Sequence, residues 1–325
     1  MAPTYSLALL EFSTYCSDVL MAKYVVKRLG MTFLTLLLIV VLVFFLMHAI
    51  PGGPFTAQRE LPPEVEAALI AKYNLDESLG RQLLHYIQGL LKGDLGPSFK
   101  YPGMRVNDFI VQGFPVSARL GFVTILFVLA ASIPLGIVAA LKNGKWQDVF
   151  TMVLATVGVT IPSFVIATVL MYFLSHKLGW LPAFGLDSPV SYILPVLALG
   201  GYSMSFMARL MRSSLLEVMG QDYIRTARAK GLTEYKVVTR HALRNALIPV
   251  ITILGPTIAA LLTGSFVIEK IFALPGMGKH FVTSITNRDY TTILGISVFY
   301  STFLVVMVFA VDMFYVLIDP RIKYE

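Results

Sequence analysis

Arg119-Leu-Gly-Phe-Val-Thr-Ile-Leu-Phe-Val-Leu-Ala-Ala-Ser-Ile-Pro-Leu-Gly-Ile-Val-Ala-Ala-Leu141 contains 22 consecutive uncharged residues after its opening arginine. A helix rises about 1.5 Å per residue and the hydrocarbon core of a bilayer is about 30 Å thick, so a run of this length is sufficient to cross it. Five further stretches of the same kind run over residues 29–50, 149–175, 190–208, 246–268 and 291–318. Asp312 alone interrupts the last of them. Pro134, Pro162, Pro195 and Pro256 fall inside these runs, where neighbouring helices re-satisfy the carbonyls that a proline frees. The fold class expected is an all-α membrane protein with six transmembrane helices.

Composition agrees. The chain has 325 residues, 56% hydrophobic and 14% charged, with a mean hydropathy of +0.74. An ordinary soluble domain carries about 25% charged residues. A single cysteine, Cys16, excludes an internal disulfide, a cysteine-based zinc site and an iron–sulfur cluster. The formal charge of +7 invites a nucleic-acid reading. Its distribution argues against one, because the basic residues alternate from loop to loop.

Lys23, Lys27, Arg28, Lys142, Lys145, Arg209, Arg212, Arg225, Arg228, Lys230, Lys236, Arg240, Arg244, Arg321 and Lys323 fall on one side of the six spans, 15 in all. The opposing short loops hold four: Lys177, Lys270, Lys279 and Arg288. Excess Lys and Arg marks cytoplasmic loops, so both termini and the loop 209–245 are expected in the cytoplasm. The stretch 51–118 then lies outside, with six basic and seven acidic residues that nearly cancel. It reads as a small external folded element. The division expected is a cytoplasmic segment over 1–28, a first transmembrane helix over 29–50, the external element over 51–118, a five-helix core over 119–318 and a cytoplasmic tail over 319–325. Residues 1–20 contain Glu11 and Asp18 and no basic residue, which excludes a secretory signal. They read as an extension preceding an ordinary start at Met21, or as a short interfacial segment.

No catalytic constellation is present. Residues 273–280, Ala-Leu-Pro-Gly-Met-Gly-Lys-His, resemble half of a phosphate-binding loop, but Ala273 stands at the first glycine position and His280 at the hydroxyl position. His48, His85, His176, His241 and His280 are scattered over both sides of the membrane and form no ligand set. Two ionisable groups are intramembrane candidates, Asp312 and Glu269. Asp312 reads either as a structural pair near the cytoplasmic face or as a proton site. The paucity of such groups argues against a proton-coupled carrier.

The loop 209–245 is the richest region, with eight basic and three acidic residues. Arg225, Arg228 and Ala229 lie at helical spacing. Gly231 ends that helix, and Thr233-Glu234 opens a second one. A short helix–Gly–helix projecting from a membrane domain suits docking into a partner's groove, and equally suits a solvated basic loop.

Here a resemblance enters. Asp222-Tyr-Ile-Arg-Thr-Ala-Arg-Ala-Lys-Gly231, followed by Arg240-His-Ala-Leu-Arg-Asn-Ala-Leu-Ile-Pro249, resembles the coupling loop of binding-protein-dependent ABC importer permeases. The wider family has Glu-Ala-Ala, three residues, Gly, nine residues, then Ile-x-Leu-Pro. Arg225, Thr226 and Ala227 stand at the Glu-Ala-Ala positions, Gly231 at the Gly, and His241 to Arg244 at Ile-x-Leu-Pro. Ala227, Gly231 and Leu243 keep the general pattern, and the departures are those of the peptide and nickel branch. His48-Ala-Ile-Pro-Gly-Gly-Pro-Phe55, Leu61-Pro-Pro-Glu64, Gly93-Asp-Leu-Gly-Pro-Ser-Phe-Lys-Tyr101, Gly264-Ser-Phe-Val-Ile-Glu269, Pro275-Gly-Met-Gly278, Asn287-Arg-Asp-Tyr290 and Ile318-Asp-Pro-Arg321 extend the likeness over nearly the whole chain after residue 21. The chain is similar to the first, B-type, membrane subunit of bacterial oligopeptide importers.

The resemblance implies the type I importer permease fold in a bacterial inner membrane. It also implies a second homologous permease, two cytoplasmic ATPases that hold ATP and magnesium, and an external peptide-binding protein. No cofactor is expected on this chain. The residues implied at the ATPase interface are Arg225, Thr226, Ala227, Arg228, Ala229, Lys230, Gly231 and Leu243. Pro51, Gly52, Gly53, Pro275, Gly276 and Gly278 read as tight external turns or as contacts to the binding protein. Importers of dipeptides, nickel or glutathione share the architecture. An ATP-independent carrier is the alternative of a different class.

Overall fold

The computed structural model describes residues 4–49, 63–186 and 188–318, with side chains described between 25 and 310. Pro51, Gly52 and Gly53 lie outside the described residues, as does the side chain of Asp312. The described chain is built of helices: α1 (Thr4–His48), α2 (Pro63–Lys72), α3 (Leu79–Leu91), α4 (Val106–Leu141), α5 (Trp146–Thr160), α6 (Ser163–Leu170), α7 (Ile193–Met219), α8 (Asp222–Ala229), α9 (Glu234–Lys236), α10 (Leu243–Ala246), α11 (Ile248–Leu262), α12 (Phe266–Ile271), α13 (Met277–Asn287) and α14 (Tyr290–Ile318). Wide π-type turns prolong α6 over Met171–Lys177 and join α9 to α10 over Val237–Ala242.

Among the described residues, five stretches are long and apolar enough to cross a membrane: Val25–His48, Val106–Leu141, Pro189–Met219, Ile248–Ile271 and Tyr290–Ala310. The sixth span is the pair α5–α6, bent by 109° at Ile161–Pro162. The third span, expected over 149–175 with Pro162 tolerated inside it, is thus broken at that proline. A proline at 162 offers no N–H to the Gly158 carbonyl, and the chain turns there. Pro115 and Pro134 lie within α4, which runs unbroken through both.

Two other expected boundaries shift. The helix of the second span begins at Val106, so its first turns occupy the end of the stretch 51–118. Asp108 starts it, its carboxylate accepting the Arg105 N–H at 2.8 Å. The fourth span continues to Met219, which places Arg209 and Arg212 inside α7 and not in a loop. Both are engaged there. Arg209 donates to the Ala155 carbonyl at 2.9 Å, and Arg212 forms a two-point pair with buried Asp148 at 2.5 and 2.7 Å.

Small residues set the close approaches between helices, as is usual where lipid supplies no hydrophobic drive for association. A Cβ at Gly121 would meet the Leu261 and Leu262 backbone, and one at Gly136 would meet Ala208 and Met211. One apolar cluster, built around Met207, Met211, Leu215, Ile224 and Val237, fills the end of the bundle that carries α8. At the opposite end, Leu120, Leu194, Ile268, Phe272 and Leu274 form a second cluster. Val106, Ile110, Met277, Ile296 and Tyr300 form a third beside it.

Candidate functional site

The candidate partner-facing site is the helix–Gly–helix between α7 and α11. Helix α8 has an apolar edge of Ile224 and Ala227, three residues apart and both buried. They pack into the cluster of Met211, Leu215, Val237 and Ala246. Its other faces are exposed, and they carry Arg225, Thr226, Arg228, Ala229 and Lys230. Ala227 and Leu243, two of the eight residues singled out from the sequence, thus face inward and hold the loop in place.

The turn after α8 is held in two ways. Gly231 has φ +77°, and its N–H donates to the Arg228 carbonyl at 2.9 Å, which ends the helix as a left-handed glycine does. Across that turn the Arg228 guanidinium donates to both oxygens of Glu234, at 3.1 and 2.7 Å. The hydrogen bond from Arg228 holds the Glu234 carboxyl below the usual carboxylate range, and Glu234 in turn raises Arg228. Asn245 donates to the Tyr223 hydroxyl at 2.8 Å, and Ser214 donates to the Ala246 carbonyl at 2.9 Å. The result is a short basic helix seated by two buried side chains and clamped at its end. Asp222, Tyr223, Arg225, Thr226, Arg228, Ala229 and Lys230 remain exposed on it.

At the opposite end, the segments Gly264–Glu269 and Pro275–Gly278 meet. Glu269, completely buried on α12, accepts the Gly278 N–H at 2.7 Å through Oε2. Ser117 on α4 accepts the Met277 N–H at 3.0 Å. Three glycines enclose the carboxylate: a Cβ at Gly264 would reach Oε1, and one at Gly276 or Gly278 would reach Oε2. Pro275 is exposed, whereas Gly276 and Gly278 are buried. These glycines therefore admit an internal acid, and Pro275 is the surface position of the set. The same geometry removes any phosphate cradle from 273–280, since the Gly278 N–H is already committed to a carboxylate.

Sequence reasoning missed Ser117 and Asp148, and it quoted Asp289 within Asn287–Tyr290 without giving it a role. Asp289 starts α14, is fully buried, and accepts from Ser98 of the segment Gly93–Tyr101. Asp148 and Asp289 are acids at helix starts, a local signal that names no distant partner.

Among curated proteins, the chain is 48% identical over 303 residues to the dipeptide transport system permease protein DppB of Bacillus subtilis (strain 168), covering 93% of this chain and 98% of that one. It is 45% identical over 307 residues to the oligopeptide transport system permease protein OppB of Haemophilus influenzae, covering 94% of this chain and all of that one. Among solved structures, the inward-facing MetNI methionine ABC transporter superposes with a TM-score of 0.50 at 19% identity, over 65% of this chain and 96% of that one. That likeness speaks for the fold, the type I ABC importer permease. The N-terminal family model for binding-protein-dependent transport system membrane components matches residues 21–121, and the main model matches residues 132–324. The chain belongs to the family of binding-protein-dependent transport system inner membrane components.

Proposed function

We propose that the chain is one of two permease subunits of an ATP-driven peptide importer and forms half of the pathway for oligopeptides delivered by an external binding protein. The observation that carries this reading is near-full-length identity of 48% and 45% to two peptide permeases, with the exposed basic helix α8 clamped in place. In this reading α8 enters a groove on a cytoplasmic ATPase, and ATP with magnesium is held and hydrolysed on two such partners. ATP-driven closure of the ATPases favours one of two arrangements of the paired permeases, and the cargo crosses as they rock between them. The basic count orients α8 to the cytoplasm and α2–α3 to the outside.

The test is reconstitution. In liposomes the chain alone should be inert, and with a second permease, the ATPases, the binding protein and ATP it should import peptide. Transport by the chain alone would establish a carrier. A cysteine replacing Lys72, with Cys16 removed, should react with an impermeant thiol reagent from outside the cell. Reaction from the cytoplasmic side alone would reverse the orientation. The higher identity to a dipeptide permease favours a second reading, in which dipeptides are the preferred cargo. Competition of di-, tri- and pentapeptides for uptake separates the two.

A further inference from the structure

We propose that the break in the third span, Gly158 to Phe164, is a main-chain recognition edge for the peptide in transit. This rests on the peptide-permease reading above and adds to it which residues of this chain the cargo meets. Helix α5 has 15 residues and α6 has eight. At 1.5 Å per residue neither alone crosses a bilayer core, so the join at Ile161–Pro162 lies inside the membrane.

The backbone bonding at this join is open. The last bond on the α5 side runs from the Ile161 N–H to the Val157 carbonyl at 3.0 Å. The first bonds on the α6 side run from Val165 and Ile166 to the Pro162 carbonyl, at 3.0 and 3.2 Å. Between them no helical turn bridges Ile161 and Pro162, so the carbonyls of Gly158, Val159, Thr160 and Ile161 and the N–H groups of Ser163 and Phe164 have no helical partner. Thr160, Ile161, Pro162 and Phe164 are exposed. Unsatisfied backbone groups are costly in hydrocarbon, and irregular backbone at membrane depth persists where it is buried in protein or lines a water-filled, ligand-bearing cavity. The face open at Thr160 to Phe164 is the one assigned to the pathway, while Gly158 faces α7.

The surroundings narrow the ligand. The break lies against α7, where a Cβ on Gly158 would collide with Ser205 Oγ and the Gly201 carbonyl. Ser205 is 1% exposed, and its hydroxyl has no partner among the described residues. Beside it on α7, Tyr202 and Phe206 are exposed with parallel rings 6.3 Å apart. The edge offers acceptors, donors and apolar flanks, and span 149–175 has no charged side chain. A row of amide N–H and C=O groups fits it, whatever the side chains attached to that row. A transition-metal cation finds no ligand set there, because span 149–175 brings no carboxylate, thiol or imidazole to the edge.

Cysteines at Thr160 and Phe164, placed in the Cys16-free chain and assembled with its permease and ATPase partners, test this in liposomes without the binding protein. Both should react with a water-soluble, membrane-impermeant thiol reagent. Trialanine at millimolar concentration should slow the reaction, and its backbone N-methylated analogue should protect about tenfold less well, as expected for loss of main-chain hydrogen bonds. A cysteine at Phe173, on α6's far continuation, serves as the unprotected reference. The inference is overturned if positions 160 and 164 react with lipid-soluble reagents alone. It is also overturned if the N-methylated peptide protects as well as the parent. If the complete complex imports no peptide, the peptide reading itself has failed and this inference with it. If peptide is imported while labelling is indifferent to peptide, this inference alone fails.

Discussion

Asp289 accepts a hydrogen bond from the Ser98 hydroxyl, which joins the start of α14 to a loop 191 positions earlier in the chain. The same carboxylate accepts the Phe99 N–H at 3.1 Å, the Thr292 N–H at 3.3 Å and the Thr292 hydroxyl at 2.8 Å. Ser98 is 1% exposed and Asp289 is fully buried. One acid thus caps α14 and anchors the segment between α3 and α4.

Removing part of that anchor should loosen the α2–α3 region and leave the spans folded. A hydrogen bond to a charged group is worth about 1.5–3 kcal/mol, so Ser98→Ala should destabilise by about that amount and Asp289→Ala by more. Limited proteolysis in detergent should cut within residues 73–104 sooner in both variants, with Asp289→Ala the faster. Equal resistance in all three proteins would show that other contacts hold the segment.

The cage around Glu269 leads to a second expectation. Gly276→Ala places a methyl against Glu269 Oε2 and at 2.7 Å from Ser117 Oγ, so one of them must move. Overpacking of this kind costs about 1–3 kcal/mol. Trimming the acid as well should return part of that loss, so the double variant Glu269→Ala with Gly276→Ala should melt above the sum of its single changes. Strict additivity in thermal melts would mean that the two sites do not touch.

The number and order of spans were legible in the sequence because a bilayer imposes one strong rule, long uncharged runs. The helix–Gly–helix was legible too, since Gly231 and the Thr233-Glu234 start are local signals. What escaped is geometry between distant segments. Pro162 was visible, yet Pro115 and Pro134 lie in an unbroken α4, so a proline alone does not say whether a helix bends or breaks. Glu269 stood out as an intramembrane charge, but its partner is a backbone N–H that any residue except proline could supply. Arg212 was visible as a cation, while its pairing with Asp148 depends on how α5 packs against α7.

The pair Arg228–Glu234 gives a pH dependence with a definite sign. Arg228 holds the Glu234 carboxyl below its ordinary value, so its ionised form is favoured when the loop is folded. The clamp is therefore fully present above the unfolded carboxylate pKa and is lost as pH falls through the lowered folded value. Both side chains are substantially exposed, and pairs of that kind contribute about 0.2–1 kcal/mol, less in salt. Glu234→Gln should make the loop at neutral pH behave as the parent does in acid. Nuclear magnetic resonance of a labelled Gly231 amide checks this: its shift should move with acid in the parent and stay flat in the variant. A parental titration in the variant would assign the change to another group.

Gly231 should concentrate the functional sensitivity of the chain. Its φ of +77° suits glycine, and an added Cβ there meets nothing within 4 Å. Any effect of substitution is then conformational, not steric crowding. An L-residue in left-handed backbone costs roughly 1–2 kcal/mol, with Asn and Asp tolerated best. That is too little to unfold a six-span bundle, and enough to re-aim α8, whose position depends on Ile224, Ala227 and the Arg228–Glu234 clamp. Gly231→Asn should therefore stay near the parent in ATPase association, Gly231→Ala should weaken it, and Gly231→Val should weaken it most, all at parental membrane levels. Gly231→Asp pairs an allowed backbone with a negative charge among Arg225, Arg228 and Lys230. If charge at the partner groove matters, it should fall well below Asn in both co-purified ATPase and peptide uptake. Asp and Asn behaving alike would remove the electrostatic part of the docking argument. All four variants retaining the ATPases and importing at the parental rate would reduce α8 to a solvated basic loop.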